Sequence, residues 1–111
     1  MMNPRLTDDG IRPELDLHGC TVNEALKLAR QLIIESVRRG RDSVRLIHGK
    51  STSTPGNRTI KSALTELIDS SELALHVSGA FKSEGHMIIA LRRRGNRHIP
   101  GRMTLRNISH S

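Results

Sequence analysis

The chain has 111 residues, a net charge of +7, a single aromatic residue (Phe81) and a single cysteine (Cys20). That length suits one domain, and the lack of aromatics argues against nucleic-acid readers that stack bases on aromatic platforms. One cysteine rules out an internal disulfide framework and fits a reducing compartment, so a cytoplasmic location is expected.

The charge is unevenly spread. Residues 92–111 carry six arginines (Arg92, Arg93, Arg94, Arg97, Arg102, Arg106) and no acid, whereas residues 1–91 hold twelve Lys/Arg against eleven Asp/Glu. A polycationic end of this kind suits phosphate contacts, the part of nucleic-acid affinity that ignores sequence. A solubilising tail would have the same composition. The N-terminus lacks a charged-then-apolar signal pattern. The longest apolar run, Met87 to Leu91, cannot span a bilayer, so no membrane partner is expected.

Residues 1–11 mix Pro, Asp, Gly and Asn without periodicity and read as a flexible leader. Pro13 admits an extended entry to a first strand at 14–18, where Leu15 and Leu17 share one face and Asp16 and His18 the other. Gly19 makes the turn that follows. Thr21-Val22-Asn23-Glu24 then matches a capping box. Val22, Ala25, Leu26, Ala29, Leu32, Ile33 and Val37 recur at helical spacing, and Gly40 is a natural stop. A first helix is expected over 22–39.

A second strand is expected at 43–48 and ends, like the first, in His-Gly (His48-Gly49). The Ser/Thr-rich loop from Lys50 to Gly56 leads to a second helix capped by Thr54, with Pro55 at its first position, or by Asn57. Its apolar stripe is Ile60, Ala63, Leu64, Leu67 and Ile68. A third strand over 73–80 puts Leu73, Leu75 and Val77 on one face. Lys82 to Gly85 is a hairpin turn into a fourth strand at 86–92. The order β-α-β-α-β-β predicts an α/β fold: a two-layer sandwich on a four-stranded mixed sheet, with one sheet face open. The domain occupies 12–94, and 95–111 is a basic, flexible tail in which a short segment could dock.

If the first two strands are parallel, both His-Gly ends lie at one sheet edge, each before a helix N-terminus. Ligands of open α/β sheets bind at that edge, and helix N-termini favour anions. Lys50 and Ser51 add phosphate donors, and Gly49 lets backbone approach a ligand. Gly49-Lys50-Ser51 is not a P-loop, because the required earlier glycine is Val44; no nucleotide cofactor is expected. Asp16 and His18 could act together on a phosphodiester, His18 moving a proton and Asp16 orienting it. A solvated polar pair on a strand face would read the same way. His48 is in phase with the core side and could be a histidine satisfied by backbone. Arg45 shares the open face with His76. His86, His98 and His110 lack metal-ligand partners at useful spacing. Cys20 reads as structural.

Leu15-Asp16-Leu17-His18-Gly19 before a capped helix, then Ile47-His48-Gly49-Lys50, resembles the Smr (small MutS-related) domain family over about residues 12–93. The resemblance implies a fold similar to the C-terminal domain of bacterial translation initiation factor 3. It also implies nucleic-acid binding (DNA or RNA) and, in many members, endonuclease activity, metal-assisted or metal-independent. A divalent metal such as Mg or Mn is therefore compatible, although the sequence names no metal ligands. The family's Leu-Asp-x-His motif, tied to cleavage, falls on Leu15 to His18, which makes Asp16 and His18 the catalytic candidates. Its His-Gly-x-Gly motif falls on His48, Gly49, Lys50 and Ser51, with Ser51 in place of the second glycine. The family's glycine-rich segment before the last strand survives only as Gly85 in Ser83-Glu84-Gly85-His86. Arg45, Gly85, Arg92, Arg93 and Arg94 complete the expected phosphate-binding set. The expected protein is a monomeric endonuclease acting on structured DNA or RNA; the competing expectation is a non-catalytic nucleic-acid-binding or ribosome- or repair-associated module.

Overall fold

The structure is a computed structural model, and it describes residues 4–49, 59–92 and 101–108. The chain runs β1 (Arg5–Asp8), β2 (Pro13–Asp16), α1 (Val22–Arg38), β3 (Ser43–Ile47), α2 (Ile60–Ile68), β4 (Val77–Lys82), β5 (His86–Leu91) and α3 (Leu105–Ile108). These five strands form one mixed sheet in the order β1-β2-β3-β5-β4. β2 and β3 are parallel neighbours; the other three pairings are antiparallel.

The α/β class and the parallel β2–β3 pair agree with the sequence reading, and the strand count does not. The fifth strand is β1, from the stretch read as leader. Its side chains alternate: Leu6 packs on the core, opposite Leu15, while Arg5 lies opposite Asp16. Four residues are too few for a periodicity argument; β1 exists because β2 offers it an edge to pair with.

Alternation explains the two layers. Leu15 and Leu17, Val44 and Leu46, and Met87, Ile89 and Leu91 are all buried on one side of the sheet. They meet Ala25, Ala29, Leu32 and Ile33 of α1 and Leu64 and Ile68 of α2. Each fully buried Leu or Ile contributes about 1.5–3 kcal/mol relative to exposure. α1 begins where expected, with the Thr21 hydroxyl accepting from the Glu24 N–H at 3.2 Å. α2 is capped by Thr59, whose hydroxyl accepts from the Ser62 N–H at 3.0 Å. The cap is neither Thr54 nor Asn57, which lie outside the described residues.

One further expectation needs correction. The third strand begins at Val77, not Leu73, because residues 70–76 turn on themselves through bonds such as His76 N–H to the Leu73 carbonyl. Leu73 is therefore buried and Leu75 exposed, where strand alternation had put them together. In the tail, residues 101–108 are docked: Met103 and Ile108 are each 2 % exposed and belong to the core. The anchor is Asp8. Its carboxylate accepts from the Met103 N–H at 2.6 Å and from the Arg41 guanidinium at 2.7 and 3.1 Å. Arg41 also donates to the Gly101 carbonyl at 2.8 Å. One buried ion pair thus ties β1, the end of α1 and the C-terminal segment together.

Candidate active site

β2 ends at Asp16 and β3 at Ile47, side by side in parallel register. The Leu17 N–H donates to the Ile47 carbonyl at 2.7 Å and extends that pairing one step. Both His-Gly turns therefore leave the sheet at one edge. β5 runs antiparallel to β3 and starts there, with His86 opposite Ile47. The third segment read from the sequence joins the same corner: the His48 and Gly49 N–H groups both donate to the Gly85 carbonyl, each at 3.0 Å.

On the open face, the His18 Nδ1–H donates to Asp16 Oδ1 at 2.7 Å, and the His18 backbone N–H donates to the same oxygen at 3.1 Å. Leu17 between them is fully buried, so alternation, not chance, sets the two polar side chains together. Occupation of Nδ1 fixes the tautomer and leaves Nε2 as the lone-pair nitrogen. The His18 side chain is 69 % exposed and Asp16 31 %. Partial burial pushes the Asp16 carboxyl up, but hydrogen bonds from His18, its charge and the nearby Arg5 outweigh this and hold it below the usual value. Asp16 is thus an anion that orients an accessible imidazole.

Gly49 is what permits the close approach of the two turns. Its φ is +77°, and a Cβ placed on it would lie 3.2 Å from the His18 Cβ. Gly19 also has a positive φ, +84°, but a Cβ there would meet nothing within 4 Å. Gly19 serves the turn alone; Gly49 serves the turn and makes room for His18.

The other sequence candidates separate into groups. Arg45 lies on the open face, opposite Glu14 in the register and 3.5 Å from its carboxylate. His48 is 6 % exposed, in step with Val44 and Leu46 toward the helices, and its Nδ1–H donates to the Gly49 carbonyl at 2.8 Å. It shapes the turn and does not share the open face with Asp16 and His18. Gly85 contributes its carbonyl to both turn amides. Arg92 is at the far edge of the sheet: it follows the end of β5, where the Leu91 N–H bonds to the Asp42 carbonyl ahead of β3. Lys50, Ser51, Arg93 and Arg94 lie outside the described residues. Cys20 is buried, and burial, reinforced by Glu24 and Asp16, pushes its thiol pKa up, away from nucleophilic character.

Arg5 is the neighbour that sequence reasoning missed. It faces Asp16 across the β1–β2 register, and nothing in Arg5-Leu6-Thr7-Asp8 alone signals that. Among the described residues, no group of three or more His, Cys, Asp or Glu could hold a metal ion. Asp16 and His18 present an oriented, exposed imidazole at this sheet edge.

The comparisons agree with this fold. The model of the Smr domain matches residues 15–91. Among solved structures, the chain is similar to the Smr domain of Thermus thermophilus MutS2, with a TM-score of 0.57 and 28 % identity. The match covers 71 % of this chain and 96 % of that one. No curated protein matches.

Proposed function

The chain belongs to the Smr domain family, associated with nucleic-acid binding and nuclease activity, and from that premise we propose that it is an endonuclease that cleaves structured DNA or RNA. The observation that carries this reading is the Asp16–His18 pair. Its bond leaves Nε2 of an exposed imidazole free on the open face. An imidazole with a free ring nitrogen is suited to take a proton from an attacking hydroxyl or water. Asp16 holds the ring in the reactive tautomer and stabilises the imidazolium that forms. Arg5, beside Asp16, is placed to meet a phosphate on the same face. Lys50, Ser51 and the arginines Arg93 and Arg94 supply further phosphate contacts in this reading. Gly49 keeps the floor low enough for a backbone to approach. The reading has the protein acting as a cytoplasmic monomer. Among the described residues no helix is long and apolar enough to cross a membrane.

The test is single-turnover cleavage of labelled single-stranded, duplex and branched DNA and RNA, with and without a chelator. His18→Ala should lower the rate by about 10²–10⁴-fold, the usual contribution of general acid–base catalysis. Asp16→Asn should fall strongly too, and the double change should cost little more than His18→Ala alone, because the two act as a unit. Binding, followed on filters, should stay near the parent's. Cleavage by both variants at the parent rate would refute the site. Tight binding by a parent that cuts nothing on the panel would replace the nuclease with a binding module.

A further inference from the structure

His86 adds another imidazole to this face. The register sets Asp16 beside Ile47 and Ile47 beside His86, so the three lie in one row across β2, β3 and β5 and point to the same side. Two strand spacings put the Asp16 and His86 backbones about 10 Å apart. Ile47, between them, is an apolar floor with no competing group. A second connection fixes the same juxtaposition. His18 lies against the Gly49 backbone, Gly49 donates to the Gly85 carbonyl, and Gly85 precedes His86. The His86 backbone is itself held, since its carbonyl accepts from the Ser83 N–H at 2.8 Å. Among the described residues, no hydrogen-bonded partner commits its ring to a structural role, and His86 is partly exposed. The charged groups around it are Asp16, His18 and Arg45 on the face, and Glu84 and Lys82 in and before the turn.

Two imidazoles on either side of an apolar floor can pass one proton in and another out. We propose that His86 is the general acid of this site, opposite His18 as general base, and that the substrate is RNA cut by attack of its own 2′-hydroxyl. This rests on the nuclease reading given above and adds to it the leaving-group proton donor and the sugar. His18 Nε2 takes the 2′-hydroxyl proton while the 2′-oxygen forms a bond to phosphorus. The bond from phosphorus to the 5′-oxygen breaks, its electron pair stays on that oxygen, and His86 delivers a proton to it. The products are a 2′,3′-cyclic phosphate and a 5′-hydroxyl, and the two imidazoles finish with exchanged protonation. An attacking group within the substrate needs only a base and an acid on the protein, and the row supplies both.

A leaving group that needs no proton isolates the acid. The probe is an RNA from the cleavage panel whose scissile 5′-bridging oxygen is replaced by sulfur, a good leaving group as the thiolate. On ordinary RNA, His86→Ala should be slower than the parent by about 10²–10⁴-fold; on the sulfur-bridged RNA it should run within a few-fold of the parent. His18→Ala should stay slow on both. His86→Gln, which keeps size and polarity but cannot donate a proton in this way, should behave like His86→Ala, and circular dichroism should show all three folded. Equal slowing of His86→Ala on both substrates, or none on ordinary RNA, would remove His86 from catalysis while leaving the nuclease reading intact. Products ending in 3′-hydroxyl and 5′-phosphate would also overturn this inference alone. A parent that cleaves no member of the panel would overturn both.

Discussion

Among the described residues, Asp8–Arg41 and Asp16–His18 are aspartate-centred pairs with the same 2.7 Å separation and opposite fates. Asp8–Arg41 has side chains 0 % and 1 % exposed, whereas Asp16–His18 has side chains 31 % and 69 % exposed. Asp8 lies opposite Pro13 at the start of β2, and Asp16 closes the same strand. The first pair faces the helix layer, and the Asp8 carboxylate is filled by donors from Arg41, Gly10 and Met103. The second faces the open side and leaves an imidazole nitrogen uncommitted. Burial and a fully bonded carboxylate make the first pair an anchor; exposure leaves the second with a ring nitrogen open to solvent.

Breaking the two pairs should separate stability from activity. Asp8→Ala leaves the Arg41 cation buried without its partner. Breaking one side of a buried pair costs about 3–5 kcal/mol, a large part of the roughly 5–15 kcal/mol that holds a small domain folded. The segment 101–108 should be released at the same time, and limited proteolysis would read that as new cleavage after Arg102 or Arg106. Asp16→Ala should shift the urea midpoint far less, since an exposed pair contributes only about 0–1 kcal/mol. Equal midpoint shifts in the two variants would erase the contrast.

The contrast should also appear against pH. Burial pushes the Asp8 carboxyl up, but bonds from Met103, Arg41 and Gly10 outweigh it and hold its folded pKa below the ordinary value. A depressed carboxylate adds stability that is fully present above the unfolded value, about pH 4, and is lost as pH falls through the folded value. Asp8→Asn should therefore be weaker than the parent at neutral pH, and the gap should narrow in acid. Asp16 has the same sign, but solvent screening makes its share smaller. A gap that stays constant from neutrality into acid would show that Asp8 is not the linked group.

A finer cut uses the two glycines. Gly49→Ala and Gly19→Ala both force a left-handed residue, at a cost of about 1–2 kcal/mol. Only the first pushes against His18. Both should lower the melting temperature, Gly49→Ala by at least as much as Gly19→Ala. Gly49→Ala should also slow cleavage, by up to about 10²-fold if the ring is displaced on the ångström scale. Matching rates for the two variants would mean that the position of His18 is not set by Gly49.

The smallest effect belongs to the arginines. Changing Arg93, Arg94 and Arg97 to Gln should shrink the log–log salt slope of duplex binding by at most about 0.9 for each phosphate left unneutralised. An unchanged slope would leave them as solubilising charge. Deleting the whole tail is a poor substitute, because it removes Met103 and Ile108 from the core.

Much of the site is legible in the sequence, and for a local reason. Period-2 alternation in Leu15 to His18 places Asp16 and His18 on one face without help from the rest of the chain. The capping box at Thr21 to Glu24 and the 3.6-residue stripe of α1 are equally local, and Val44 to Ile47 reads as a strand from its own side chains. What crosses between strands is not legible in this way. The partnership of Arg5 with Asp16, the anchor from Asp8 through Arg41 to Met103, and the row that aligns His86 with Asp16 all depend on register. Register comes from burying many side chains at once, not from any short stretch. β1 and α3 are four residues each, too short to declare themselves by period. Leu73 and Leu75 show the same limit in reverse: their spacing suggests a strand, but turn hydrogen bonds hold the segment out of the sheet. Residue type and local period are enough to say which side chains can do chemistry. Which of them stand on the same face at the same edge follows from strand pairing between parts of the chain that are far apart in sequence, and only the folded sheet establishes it.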